Sequence, residues 1–252
     1  MGRGKKVFIT GGSGGIGRAM VHLFADENFD VHFTYRSNKS EAEKLNSDNI
    51  TAHYWDASDR ESLENLRGVL GDVDILINNA GLGSATVAKI TEDVLEQDMM
   101  MMKVNSVAPL WMIRAVLPGM KKRNFGKIIN IASVGGGITQ FPGFSLSDGM
   151  SKAALTFLTR QLAAELSHDE IDVFAVCPGA TETPMFEAST LSKLDEAARK
   201  ELEKKLPGGR LIDPEEIARI SLYLCRNEAR VLRGSILDAS FGLGSNPGLL
   251  QK

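Results

Sequence analysis

The 252-residue sequence has little cysteine, little net charge and no long apolar run. Its two cysteines, Cys177 and Cys225, exclude a disulfide framework, and their spacing fits no metal-ligand motif, so no metal site is predicted. A net charge of −3 argues against nucleic acid or an anionic membrane as the main partner. No apolar run approaches the ~18 residues of a membrane span. These absences favour a cytoplasmic protein.

Short apolar segments alternate with segments of helical periodicity along the whole chain. Strands are predicted at residues 5–10, 31–36, 50–56, 74–80, 127–133, 171–179 and 235–240, and the main helices at 15–28, 59–70, 91–122, 148–168 and 213–226. Strands that are apolar throughout, alternating with helices, predict an α/β fold with a parallel sheet covered on both faces. No linker or repeat interrupts the chain, so residues 1–252 are predicted to form a single domain.

A glycine-rich stretch, TGGSGGIGRAM at residues 10–20, joins the first strand to the first helix. Gly11, Gly15 and Gly17 leave this turn without side chains, so a pyrophosphate can approach the amides and the positive dipole at the helix N-terminus. A plain tight turn is the alternative, but the position between strand and helix favours dinucleotide binding. Ser13 and Ile16 of the same loop belong to the predicted cofactor site.

The ends of the second and third strands carry the residues expected to meet the adenosine. An acidic residue after the second strand would bind the ribose 2′-hydroxyl and repel a 2′-phosphate. This chain has Arg36 there, which predicts NADP(H) rather than NAD(H). The alternative is a surface arginine without function. Asp56 is predicted to accept a hydrogen bond from the adenine amino group.

These features, in this order, resemble the classical short-chain dehydrogenase/reductase family, especially its 3-oxoacyl-acyl-carrier-protein reductases. Asn-Asn-Ala-Gly at 78–81 follows the fourth strand, and Pro-Gly at 178–179 follows the sixth. The resemblance implies a Rossmann-type, doubly wound sheet of seven strands in the order 3-2-1-4-5-6-7. It also implies a homodimer or homotetramer formed through the helices at 91–122 and 148–168. Further cofactor-binding residues carried over from the family are Asn79, Ala80, Gly81, Lys152, Pro178, Gly179 and Thr183.

The family's catalytic residues match at every position but one. In its reductases a tyrosine donates the proton, a lysine four residues later holds the ribose, a serine binds the carbonyl oxygen and an asparagine holds a water molecule. The resemblance assigns the function of the lysine to Lys152, that of the serine to Ser133 and that of the asparagine to Asn105. Asp148 stands where the tyrosine is expected, in the stretch FSLSDGMSKAAL. The chain's three tyrosines lie on other predicted elements and cannot replace it.

The chemistry of Asp148 decides between functions. The pKa of a free aspartate is ~3.9, against ~10 for tyrosine, and the Lys152 ammonium is expected to lower the pKa of Asp148 further. An ionised Asp148 is a poor proton donor but a credible general base. Three functions stay open: an NADP(H)-linked oxidoreductase with another proton source, a non-redox enzyme that uses Asp148 for dehydration, isomerisation or C–C bond formation, and a catalytically silent nucleotide-binding subunit.

The substrate side is less defined in the sequence. The expected partner is a small molecule or an acyl thioester with a carbonyl or β-ketoacyl group. Residues 181–209, the lid segment, are polar and helix-prone and are predicted to cover the substrate. Candidates for an apolar pocket are Phe141, Phe144, Met185 and Phe186. The family's paired glycines after the last strand are replaced by DASFGLG at 238–244.

Overall fold

A computed structural model describes residues 4–246 and contains one seven-stranded sheet. All strands are parallel and lie in the order β3-β2-β1-β4-β5-β6-β7. They are β1 (Lys6–Ile9), β2 (Asp30–Tyr35), β3 (Ile50–Tyr54), β4 (Ile75–Asn78), β5 (Gly126–Ile131), β6 (Ile171–Pro178) and β7 (Ile236–Ala239). The predicted fold class, the seven predicted strands and the strand order implied by the resemblance are confirmed.

Helices pack against both faces of this sheet. Along β1, Val7 and Ile9 belong to one hydrophobic core and Phe8 to a second, because side chains alternate between the faces of a strand. The helices are α1 (Gly15–Asp26), α2 (Lys39–Glu43), α3 (Arg60–Glu64), α4 (Arg67–Leu70), α5 (Ser84–Val87), α6 (Val94–Met102), α7 (Ala108–Arg123), α8 (Val134–Gly137), α9 (Leu146–Glu165), α10 (Pro184–Ser189), α11 (Glu196–Lys205) and α12 (Pro214–Leu224). Within residues 4–246, none of them is long and apolar enough to cross a membrane.

Two predicted helices are divided in the structure. The helix expected at 59–70 is the pair α3 and α4. The helix expected at 91–122 is α6 and α7, separated by the π-helical segment Lys103–Val107. Pro109, at the start of α7, has no N–H to donate to Asn105 O four residues earlier, so the regular helical bonding is interrupted at this position. The wider π turn carries the buried Asn105.

Two backbone hydrogen bonds join the two ends of the lid segment and form its base. Glu182 N donates to Ile212 O and Ile212 N donates to Ala180 O, each at 2.9 Å. Between these bonds the chain forms α10, which packs against α5, and α11, which has no buried residue. Met185 of α10 lies close to Gly83, where a Cβ atom would be 3.2 Å from Met185 Cγ. The segment thus lies over residues 83–87, and its action as a lid stays a prediction.

Candidate active site at the carboxyl ends of the strands

A cleft of about 800 Å³ lies along the carboxyl ends of the parallel strands. This edge is where open α/β sheets bind ligands. Its walls come from the segments that follow β1 to β6 and from the lid segment. All the predicted site residues line the cleft except Gly17 and Asn105.

The glycine loop leaves the N-terminus of α1 open to the cleft. Gly11 and Gly15 have φ angles of +68° and +52°, which glycine adopts without strain. Gly14 is the N-cap of α1, so no side chain satisfies the first amides of the helix, and they are available to an anion. A Cβ atom on Gly17 would lie 2.2 Å from Gly11 O, so α1 packs directly on the turn. The loop therefore fits a dinucleotide pyrophosphate, with Gly17 beneath the turn rather than at the cleft wall.

The end of β4 holds this loop in place. Thr10 Oγ1 accepts hydrogen bonds from the backbone N–H groups of Asn79 and Ala80, both at 2.9 Å. Asn79 Nδ2 in turn donates to Thr10 O at 3.0 Å and to Gly11 O at 3.1 Å. Asn79 lines the cleft, but its amide is engaged in fixing the shape of the glycine loop.

The adenosine end of the cleft contains Arg36 and Asp56. Arg36 is exposed, and its guanidinium forms no ion pair or hydrogen bond with any other residue of the range 4–246, so it is free to bind a phosphate. Asp56 Oδ1 accepts from Ser58 N at 2.8 Å and from Ser58 Oγ at 2.7 Å. These bonds orient the carboxylate at the cleft wall. Both residues line the cleft, and their contacts with a cofactor stay predictions.

Helix α9 carries Asp148 and Lys152 into the cleft one turn apart. The helix begins after its N-cap, Ser145, whose Oγ accepts from Asp148 N at 3.5 Å. Lys152 Nζ donates to Ile131 O at 3.4 Å and lies near Gly81, where a Cβ atom would be 3.5 Å from it. Ser133, at the end of β5, lines the same cleft, and its Oγ accepts from Gly135 N at 3.2 Å. The Ser133 hydroxyl hydrogen is therefore free to be donated to a ligand.

The protonation of Asp148 differs from the sequence-based expectation. Burial raises the pKa of Asp148, and the opposing effect of the Lys152 ammonium is smaller. The expected lowering of this pKa is therefore wrong. Lys152 points toward Ile131 O, and its ammonium forms no ion pair with the Asp148 carboxylate. Burial also lowers the pKa of Lys152, with Asp148 acting against it. Asp148 thus keeps a larger protonated fraction at a given pH than a free aspartate.

Asn105 is brought near the cleft but does not line it. Its side chain is fully buried in the π-helical segment. Asn105 Oδ1 accepts from Leu82 N at 2.8 Å, and Nδ2 donates to Leu82 O at 2.9 Å and to Ser151 Oγ at 3.1 Å. The side chain therefore holds the strand end beyond Gly81 against α9, and the water molecule expected at Asn105 stays a prediction.

The cleft also contains side chains beyond the predicted set. Phe144, Met185 and Phe186 line it, whereas Phe141 does not. The sequence did not single out Trp55, Leu82, Ser84 or Lys193, which line it as well. Trp55 could have been found because it immediately precedes Asp56 at a strand end. Ser84 and Lys193 follow no periodic pattern that would distinguish them.

Comparison with known proteins gives matches over nearly the whole chain. Residues 11–244 match a family described as enoyl-(acyl carrier protein) reductase. The acetoacetyl-CoA reductase of Shinella zoogloeoides is 33% identical over 240 residues, 93% of this chain and 96% of that protein. A variant actinorhodin polyketide ketoreductase solved with NADPH has a TM-score of 0.85 and 26% identity, over 97% of this chain and 99% of its own. The 3-ketoacyl-(acyl-carrier-protein) reductase of Brucella melitensis, complexed with NADH, has a TM-score of 0.81 and 28% identity, over 96% of this chain and 99% of its own.

Proposed function

Because this chain belongs to the short-chain dehydrogenase/reductase family of oxidoreductases, we propose that it is an NADP(H)-linked reductase of a 3-oxoacyl thioester. One observation carries the proposal: a single cleft joins an uncapped, glycine-rich helix N-terminus to Ser133, Asp148 and Lys152. The names of the relatives, an acetoacetyl-CoA reductase and a 3-ketoacyl-(acyl-carrier-protein) reductase, support the substrate class.

Each residue then has a defined part in the reaction. When bound, NADPH supplies the hydride for the carbonyl carbon. Lys152 binds the ribose hydroxyls, and Ser133 Oγ–H donates to the carbonyl oxygen, stabilising its developing charge. Asp148 supplies the proton to that oxygen through one water molecule, since its side chain is shorter than the phenol of a tyrosine. Burial, which raises the pKa of Asp148, favours this donor function.

The two other functions left open by Asp148 receive less support. A non-redox enzyme would use ionised Asp148 as a base, and the reductase names of the relatives do not favour this function. A silent subunit has no need of a cleft that brings together Ser133, Asp148 and Lys152. Consumption of NADPH with 3-oxoacyl thioesters of several chain lengths separates the reductase from the two other functions, neither of which consumes NADPH. Binding of NADPH without any turnover would overturn the reductase.

The preference for NADPH is proposed to depend on Arg36. Replacing Arg36 with alanine is expected to weaken NADPH binding by about 10–100-fold, the effect of losing a charge-assisted hydrogen bond to the 2′-phosphate. NADH binding is expected to stay unchanged, because NADH lacks that phosphate. Both are measured by titration of nicotinamide fluorescence. Lys39→Ala is the matched control, since Lys39 is a nearby exposed cation that pairs with Glu43. Equal losses for NADPH and NADH would count against a phosphate contact.

A homodimer or homotetramer is proposed from the apolar surfaces of α6 and α9. Leu95 and Met99 on α6 are 75% and 71% exposed, and Met150 and Phe157 on α9 are 61% and 70% exposed. A second copy of the chain would cover these side chains. Phe157→Asp is expected to lower the molar mass in light scattering to that of the monomer. Val231→Asp, at an exposed residue outside these helices, is expected to leave the mass unchanged. A monomeric wild-type protein would contradict the proposal.

The proposed location is the cytoplasm. Cys177 and Cys225 are both buried and free, and burial raises the pKa of each to about 12. Thiols of this kind are compatible with a reducing compartment.

A further inference from the structure

Phe241, two residues after β7, has a left-handed backbone conformation with φ +56°. A bulky side chain rarely adopts this conformation, because its Cβ atom crowds the backbone. The residue before it is closely held: a Cβ atom on Gly179 would lie 2.9 Å from Ser240 Cβ, and Gly244 N donates to Ser240 Oγ at 3.0 Å. A strained conformation persists only where the surrounding contacts fix it. The contacts of the Phe241 ring are therefore informative.

The ring of Phe241 contacts the C-terminal end of the lid segment. The guanidinium carbon of Arg210 lies 4.8 Å from the ring centroid, within the range of a cation–π interaction. Arg210 also donates two hydrogen bonds of 2.8 Å to the carboxylate of Glu216. A Cβ atom on Gly208 would lie 3.7 Å from Phe241 Cδ2. Arg210 is thus held between the first turn of α12 and the Phe241 ring.

The residues beside this contact have the conformations of a hinge. Gly208 and Gly209 have φ angles of +76° and +68°, so the chain reverses direction directly after α11. Arg210 follows them, and Ile212 then forms the backbone bonds that close the base of the lid segment. Arg210 and its contact with Phe241 therefore lie between α11 and the closed base of the lid segment.

We propose that Phe241 and Arg210 form a latch that holds the lid segment over the cleft. Phe241 is then a positioning residue for the proposed reaction, since Thr183, Met185 and Phe186 of the lid segment line the cleft. The strained backbone of Phe241 places its ring against Arg210. The inference rests on the proposed function only in taking the cleft beneath the lid segment as the site of the proposed substrate.

The latch is tested by hydrogen exchange at two lid amides, in protein without nucleotide. These are Leu206 N, which donates to Glu203 O, and Gly209 N, which donates to Leu206 O. Phe241→Asn keeps a left-handed backbone accessible but removes the ring. It is expected to raise exchange at both amides by about two- to fivefold, the equivalent of one exposed cation–π contact. The midpoint temperature of thermal unfolding of this variant is expected to be unchanged or higher, because strain in the backbone is relieved.

Matched variants separate the latch from a general loosening. Phe241→Tyr keeps the ring and is expected to exchange like the wild type. Arg210→Lys keeps the charge but loses the planar stacking group, so its exchange is expected to rise like that of Phe241→Asn. Exchange in the double variant is expected to rise no further than in Arg210→Lys alone, because that substitution already removes the contact with Phe241 as well as the paired bonds to Glu216. KM for the thioester is expected to rise in the two single variants, with kcat unchanged.

Exchange in Phe241→Asn at the wild-type rate, or an equal rise in exchange in Phe241→Tyr, would overturn the latch. Additive effects of the two single variants would also contradict it. The exchange measurement involves neither cofactor nor turnover. A wild-type protein that failed to bind NADPH would therefore count against the proposed function alone, and the latch would be judged by exchange.

Discussion

Replacing Asp148 with tyrosine is expected to raise kcat for reduction of a 3-oxoacyl thioester by about 10²–10⁴-fold, the contribution of a well-positioned proton donor. A phenol in the first turn of α9 reaches farther into the cleft than a carboxyl, so it can donate to the carbonyl oxygen without a bridging water. Lys152 lies one turn away on the same helix and would favour ionisation of the phenol. The measurement is NADPH consumption at saturating substrate.

Asp148→Phe is the control for this substitution. It adds a ring of the same size without a hydroxyl, and it is expected to bring no gain in kcat. A tyrosine variant no faster than the wild type would show that position 148 does not face the carbonyl. It would also sink the interpretation of Asp148 as the residue in the family's tyrosine position.

The pH dependence of the same two proteins follows from the direction of the pKa shift. Burial raises the pKa of Asp148, and a proton donor is lost as the pH rises through its pKa. The wild-type kcat is therefore expected to fall with rising pH through that raised pKa. In the tyrosine variant the fall is expected at higher pH, since the ordinary pKa of tyrosine is ~10. Parallel profiles would mean that the wild-type protein takes its proton from another group.

Replacing Gly17 with alanine is expected to lower the free energy of unfolding by about 2–3 kcal/mol and to weaken NADPH binding by about 10²-fold. The Cβ atom would lie 2.2 Å from Gly11 O, and neither backbone segment can give way without moving the other. Displacing α1 from the turn shifts the amides that bind the pyrophosphate. Denaturant unfolding and nicotinamide fluorescence measure the two effects.

Gly14→Ala in the same loop is the control for stability. Gly14 has extended backbone, with φ −160°, and no atom lies within 4 Å of a Cβ atom placed there. Its free energy of unfolding is expected to stay within about 0.5 kcal/mol of the wild type. If Gly17→Ala were as stable as Gly14→Ala, the direct packing of α1 on the glycine turn would be wrong.

The fold could be predicted because its determinants are local. Apolar strands, the glycine loop and the Asp213 N-cap of α12 each depend on a few neighbouring residues, and the structure contains all three. The division of the helix at 91–122 could not be predicted, because the π turn serves the bonds of Asn105 to Leu82, 23 positions earlier in the chain.

The residues that make up the site could be predicted from the sequence better than the protonation of those residues. The effect of Lys152 on the pKa of Asp148 was foreseen from their spacing on one helix. The larger effect of burial depends on how segments distant in the chain pack around α9, and no local pattern reports it. The same is true of Phe241: the departure of DASFGLG from the family's paired glycines is visible in the sequence, but the contact of Phe241 with Arg210 is not.

Because the two ends of the lid segment are joined at its base, the segment could be exchanged as a unit. Because Ala180, Glu182 and Ile212 are joined by two backbone hydrogen bonds, the chain enters and leaves the segment at neighbouring points. The entropy of closing such a loop changes slowly, by about 0.6 kcal/mol for each doubling of its length. Segments of other lengths and compositions could therefore be grafted between these residues if Thr183 and Pro184, which lie against Gly15, are kept. Such grafts would change the shape of the substrate wall while the sheet stays as it is.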